Sequence, residues 1–229
     1  MENLKKNLNL KKVDLKRNKY VFVDNFQRDI LYKKKNNLET ADYIIFSEFN
    51  HIITLGRNSK KEHLLVSEKT IKENNIQLYN IDRGGDVTYH GPGQLVIYPI
   101  VDLKKRQKDL HKYIRDLEDV IIIFLKKYNI KGSRVSGFTG VWVSDKKIAA
   151  IGIGVSGWIA YHGIGLNIST DLECFKWIVP CGIKDKKATS LEQIYHSRKG
   201  ENLEKIINID DIKNDFFNCF CEVFNYEKK

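Results

Sequence analysis

Three observations in this 229-residue chain predict an α/β (α+β) fold, with helices packed on a β-sheet. Short runs of β-branched and aromatic residues recur along its length. One long stretch carries apolar residues at helical spacing, and several of the strand-like runs are interrupted by closely set glycines.

In chain order, Met1 to Asn18 is polar and lysine-rich and reads as a flexible basic arm. Tyr20-Val-Phe-Val23 and Ala41 to Phe46 carry residues that favour strands, with a helical stretch over Asn25 to Tyr32 between them. His51 to Arg57 reads as a short strand ending at a glycine turn. Ser67 caps a helix running towards Asn74, and Ile76 to Ile81 alternates into a strand. The most glycine-dense segment follows, Asp82-Arg-Gly-Gly-Asp-Val-Thr-Tyr-His-Gly-Pro-Gly-Gln94, and then the strand Leu95 to Tyr98.

The clearest helix begins after Asp109 as N-cap, with Leu110, Tyr113, Ile114, Leu117, Ile121, Phe124, Leu125 and Tyr128 on one stripe. Its aromatics belong to the core, and His111 falls off the stripe. Val141 to Val143 and Lys147 to Val155 flank a polar turn as a β-hairpin. Tyr161 to Ile168 is a further strand broken by glycines. Ser190 and Gln193 form a capping-box pattern, and Ile212, Phe216, Phe220 and Phe224 mark a closing amphipathic helix with Cys219 and Cys221 as structural residues. There are no internal repeats or linkers, so 1–229 reads as a single domain.

Composition narrows the function. With 42% apolar and 30% charged residues the chain is globular, and its longest apolar cluster, Val120 to Leu125, is far short of a membrane span. The net charge of +10 favours an acidic partner. Arginine is scarce and no basic run is interleaved with aromatics, which argues against nucleic acid. The four cysteines make neither a zinc pattern nor a disulfide scaffold, which points to a reducing compartment, and no secretory signal is visible. The expectation is a cytoplasmic monomer without metal or membrane, or a protein of an organelle matrix if the basic arm is a targeting segment.

Candidate chemistry gathers at three places. Gly84, Gly85, Gly91 and Gly93 crowd one segment, where backbone approaches a ligand closely; neither phosphate-loop spacing is present, and Arg83 and His90 flank the glycines. Ala149, Ala150, Gly152 and Gly154 leave one strand without bulk, so that a chain-like ligand fits against it, and Lys147 begins that strand. Cys181 lies between Pro180 and Gly182 on a shaped turn that suits an exposed nucleophilic thiol. Taken alone, Cys181 reads first as a small buried residue and Lys147 as a surface lysine beside a turn, and His90 reads as well as a structural histidine.

Taken together, these segments resemble one family, the lipoyl(octanoyl) transferases. The resemblance rests on Arg83-Gly-Gly-x-Val-Thr-Tyr-His-Gly-Pro-Gly-Gln-Leu-Val96, Gly140-Val-Trp-Val143 with Lys147-Ile-Ala-Ala-Ile-Gly152, Tyr161-His-Gly-x-x-Leu-Asn167, and Ile178-Val-Pro-Cys-Gly-Ile183 with Thr189-Ser-Leu191. It runs from about Tyr20 to about Ile194. Asp86 and Val135-Ser-Gly137 depart from the family pattern.

The resemblance implies a fold like that of the biotin and lipoate protein ligases, in which a mixed sheet carries an acyl pocket. It implies transfer of an octanoyl group from octanoyl-acyl carrier protein to a lysine of lipoyl domains, those of 2-oxoacid dehydrogenase E2 subunits and the glycine cleavage H protein, without ATP or another cofactor. By the same resemblance Cys181 carries the acyl group as a thioester and Lys147 activates it. The substrate-binding residues are then Arg83, Gly84, Gly85, Asp86, Val87, Thr88, Tyr89 and His90, with Ala150, Ile151 and Gly152, and Gly163, Ile164 and Gly165. The alternatives are an ATP-dependent lipoate ligase of the same fold and a non-catalytic module that binds the carrier or the lipoyl domain.

Overall fold

The computed structural model describes residues 9–179, 187–199 and 208–227. Within them the chain runs β1 (Leu10–Arg17), α1 (Tyr20–Lys35), β2 (Asp42–Glu48), β3 (Ile52–Leu55), α2 (Glu68–Glu73), β4 (Gln77–Asn80), β5 (Val87–His90) and β6 (Gln94–Asp102). It continues through α3 (Leu110–Lys127), β7 (Gly132–Val135), β8 (Phe138–Val143), β9 (Lys146–Ser156), β10 (Ile159–Asn167), α4 (Leu191–Lys199) and α5 (Ile209–Phe224).

The larger sheet has the order β1-β2-β6-β10-β9-β8-β7. It is mixed: β1 and β2 run parallel, and the other neighbours are antiparallel. A smaller sheet, β4-β3-β5, pairs β3 parallel with β4 and antiparallel with β5.

Side-chain alternation along the central strands sends apolar groups to both faces. Ile44 and Phe46 of β2 and Leu95 and Ile97 of β6 face α3 and α5, where Leu117, Ile121, Phe124, Phe216 and Phe220 close the core. Ile45, Val96, Tyr98 and Ile100 face α1, meeting Tyr20, Val23, Ile30 and Leu31. Each such side chain, withdrawn from water, stabilises the fold by roughly 1.5–3 kcal/mol. A third cluster, with Ile53, Val87, Tyr89 and Ile178, lies against the smaller sheet. No helix among the described residues is long and apolar enough to cross a membrane.

The caps follow the sequence. Ser67 Oγ accepts from the Thr70 N–H at 3.1 Å, and Asp109 Oδ1 accepts from the Lys112 N–H at 2.9 Å. Ser190 Oγ accepts from the Gln193 N–H at 3.1 Å, but the Gln193 side chain accepts from Thr189 Oγ1 at 2.9 Å instead of closing the box.

Two expectations are corrected. Tyr20 to Val23 is the first turn of α1, not a strand: Tyr20 and Val23, three residues apart, are buried, while Val21 and Phe22 are each 51% exposed. That is the helical period on a run too short to show it. The basic arm is also not wholly flexible, because its residues 10–17 pair in parallel with β2 at the sheet edge, a position that tolerates lysine-rich strands.

Candidate active site

The loop joining β4 to β5 carries the glycine motif and lies across β9. Gly84 donates its N–H to the Ile153 carbonyl at 2.7 Å, which joins loop and strand directly. A Cβ on Gly152 would stand 3.0 Å from Arg83 Cδ and 3.1 Å from the Gly84 carbonyl oxygen, so only glycine admits this approach without displacement. Arg83 is buried beneath the loop. Its Nη2 donates to the Thr54 carbonyl and hydroxyl at 2.9 and 3.0 Å, and its Nη1 to the Gly84 carbonyl at 3.0 Å.

Loop, β9 and β10 enclose a small cavity of about 60 Å³. It brings together Arg83, Gly84, Gly85, Asp86, Val87, Thr88 and His90 with 150–152 and 163–165. Of the substrate-binding candidates only Tyr89 does not line it. Tyr89 is turned away from it: its hydroxyl meets His51 Nδ1 at 2.8 Å and its ring packs edge-on against Phe175 and Trp177. Asp86 lines the cavity rim but pairs its carboxylate with His63 and accepts from the Lys60 N–H at 3.3 Å. The same turn holds the segment leading to residue 180, since the His63 carbonyl accepts from the Val179 N–H at 2.8 Å.

His90 is 8% exposed, and its Nδ1 lies 2.6 Å from Gln94 Oε1. Burial pushes its imidazole down to about 4, against the opposing pull of Gln94, so the ring is neutral at physiological pH. Beyond His90 a buried polar chain continues. Gln94 Nε2 donates to Asn167 Oδ1 at 2.9 Å, and Asn167 Nδ2 donates to the Thr189 carbonyl at 3.0 Å.

A second histidine, His162, also lines the cavity. Its Nε2 donates to Asp82 Oδ1 at 2.9 Å, Tyr161 donates to Asp82 Oδ2 at 2.6 Å, and Arg28 pairs with Asp82 Oδ1 at 3.2 Å. Burial alone raises the Asp82 carboxyl. The hydrogen bonds from His162, Tyr161 and Arg28 outweigh it and hold the group well below the usual carboxylate range. Burial lowers His162, opposed by Asp82.

Lys147 sits at the start of β9. Its N–H donates to the Lys187 carbonyl and its carbonyl accepts from the Thr189 N–H, both at 2.9 Å, so the chain that resumes at residue 187 is laid along it. The Lys147 stem crosses the space above Gly140, and its Nζ stands 4.9 Å from the centre of the Trp142 ring, within cation–π range. Cys181, with Pro180 and Gly182, lies outside the described residues.

Reasoning from sequence missed Gln94, Asn167, His162 and Thr189 as site residues. A signal was present for two of them: β10 is buried at every position yet contains His162 and Asn167, and a polar side chain on a wholly buried strand requires a partner.

Residues 25–221 match the family described as the lipoyl protein ligase A/B catalytic domain. The octanoyltransferase of Christiangramia forsetii is 42% identical over 89% of this chain and 88% of its own length. That of Alkaliphilus metalliredigens is 40% identical over 96% and 97%. The chloroplastic octanoyltransferase LIP2p2 of Arabidopsis thaliana is 42% identical over 88% and 73%. Among solved structures, lipoate-protein ligase A bound with ATP superposes with a TM-score of 0.70 at 14% identity, covering 97% of this chain and 87% of its own. A biotin protein ligase from Aquifex aeolicus gives 0.50 at 14% identity over 95% and 69%. These structures share the fold, a mixed sheet with packed helices. The relatives and the family match together make the chain a member of the lipoyl protein ligase A/B catalytic-domain family, on its octanoyltransferase side, and an acyltransferase.

Proposed function

We propose that the protein transfers an octanoyl group from octanoyl-acyl carrier protein to the ε-amine of a lysine on a lipoyl domain, in two steps through Cys181. The Cys181 thiolate attacks the carbonyl carbon of the carrier thioester, a new C–S bond forms, and the carrier's C–S bond breaks to release its thiolate, which takes up the proton that Cys181 gave up. The lysine amine then attacks the acyl-cysteine, forming the amide, and its proton goes to the departing Cys181 sulfur. The donor is already activated, so the reaction needs no nucleotide.

One observation carries this reading: the hydrogen bonds of Lys147 to Lys187 and Thr189 run the chain just beyond Cys181 alongside the lysine's own strand. An ordinary cysteine, with a pKa of about 8.5, is only a few per cent thiolate at neutral pH, and an ammonium nearby favours the anion. The cavity supports the same reading, since residues 83–88, 90, 150–152 and 163–165 provide a narrow, backbone-rich wall for an acyl chain. The net charge of +10 suits an acidic carrier protein. Lipoyl domains of 2-oxoacid dehydrogenase E2 subunits and the glycine cleavage H protein are the acceptors this chemistry serves.

Mixing the enzyme with octanoyl carrier protein adds the mass of one octanoyl group to Cys181, and Cys181→Ser abolishes both that adduct and turnover. Native-rate transfer by Cys181→Ser would sink the mechanism.

A further inference from the structure

The buried chain from His90 to Thr189 has a fixed direction, set at its far end by a group that cannot donate. The Thr189 backbone carbonyl only accepts, so the Asn167 atom 3.0 Å from it is the amide nitrogen, and Asn167 Oδ1 faces Gln94. Gln94 must therefore present its Nε2 to Asn167, at 2.9 Å, an orientation that also lets Nε2 donate to the Tyr89 carbonyl at 3.4 Å. Its Oε1 is left facing His90 Nδ1 at 2.6 Å, and an oxygen acceptor there requires a proton on Nδ1. All four residues are buried, at 8%, 3%, 4% and 3% exposure for His90, Gln94, Asn167 and Thr189, so no solvent shell relieves a reversed link. On the other ring nitrogen, Nε2, His90 makes no hydrogen bond among the described residues, and the residue lines the acyl cavity.

We infer that Gln94 and Asn167 are positioning residues that hold His90 as its Nδ1-protonated tautomer, leaving Nε2 as a bare hydrogen-bond acceptor on the cavity. Its ligand class is a neutral N–H donor. Resting on the two-step reading above, that donor is the attacking lysine amine: an N–H directed to Nε2 turns the nitrogen lone pair towards the acyl carbon. His90 stores no proton in this role. The amine proton still ends on the Cys181 sulfur, and the imidazole stays neutral throughout. The chain also links the cavity to the strand of Lys147, because the Thr189 whose carbonyl sets the direction donates its own N–H to the Lys147 carbonyl.

The test is the tautomer itself, read by long-range ¹H–¹⁵N correlation on the full-length, resting enzyme labelled at histidine, with His90 assigned by its loss in His90→Gln. The wild-type spectrum places the proton on Nδ1 at neutral pH. Gln94→Leu produces a mixture of tautomers and lowers kcat for transfer to a lipoyl domain on the order of tenfold, with KM within about twofold. Gln94→Glu, which keeps an acceptor beside Nδ1 but loses the bond to Asn167, keeps the proton on Nδ1. A proton on Nε2 in the wild type overturns the proposal even if the variants do not fold, and so does an unchanged tautomer in Gln94→Leu. The resting-state spectrum does not involve Cys181, so failure of the thioester mechanism, read from the octanoyl adduct, is a separate result.

Discussion

Thr189 donates its backbone N–H to the carbonyl oxygen of Lys147 at 2.9 Å, and the Lys147 N–H returns a bond of the same length to Lys187. Two bonds to one residue pin the strand start to Lys187 and Thr189, which follow Cys181 in the sequence. If Lys147 activates the thiol, Lys147→Ala returns the cysteine to its ordinary pKa of about 8.5, and acylation slows most at neutral pH, by up to about 30-fold, recovering towards alkaline pH. Single-turnover acylation of Cys181 across pH checks this. A profile parallel to that of the wild type removes Lys147 from the role.

Gly152 allows the glycine loop to rest on β9. Gly152→Val places side-chain atoms against Arg83 Cδ and the Gly84 carbonyl, and the loop cannot retreat without losing the 2.7 Å bond from Gly84 to Ile153. Overpacking of this kind costs about 1–3 kcal/mol. Thermal unfolding shows a lowered midpoint with the fold retained, and the KM for the acyl donor rises more than kcat falls.

His90 makes stability depend on pH with a definite sign. Its pKa is lowered from 6.5 to about 4 in the folded protein, so between those values the unfolded chain binds more protons. Stability therefore rises with pH across this window and falls as pH drops from 6.5 towards 4, by up to about 3 kcal/mol. His90→Gln flattens that part of the curve in urea titrations between pH 7 and 4.5. A residual slope of the same sign remains from His162, which burial also lowers.

Lys34 and Asp42 form an ion pair withdrawn from water, with side chains 2% and 1% exposed and Nζ 2.8 Å from Oδ1. Asp42 also accepts from the Tyr226 hydroxyl at 2.6 Å and the Asp102 N–H at 2.9 Å, so it joins α1, two strands and the chain end. Lys34→Met leaves a buried carboxylate without its cation and destabilises the fold by about 3–5 kcal/mol. Adding Asp42→Leu recovers part of that loss in denaturant unfolding, whereas a double variant no more stable than Lys34→Met contradicts the account.

The elements with long periodic patterns were readable from sequence, α3 and α5 above all, because a stripe at helical spacing has one physical solution. Tyr20 to Val23 misled because four β-branched and aromatic residues fit a strand as well as a helical turn, and only the packing of Tyr20 and Val23 on one face decides. β1 was hidden because an edge strand retains its lysines. The cavity wall was readable through its glycines, which mark close backbone contact wherever they stand. Gln94 and Thr189 were not, since their role exists only where β6, β10 and the chain before α4 meet, and a single polar residue in a sequence carries no record of its partners.

Gly140, at φ +124°, lies beneath the stem of Lys147, and a Cβ there would fall 2.8 Å from Lys147 Cε and 2.5 Å from the Ala149 carbonyl. The reach of the ammonium is thus specified by a missing methyl group on the neighbouring strand. Were position 140 to gain one carbon, the amine would have to find another path and the Ala149 carbonyl would have to give with it. The aim of a long, flexible cation is governed from a position outside the lining of the cavity.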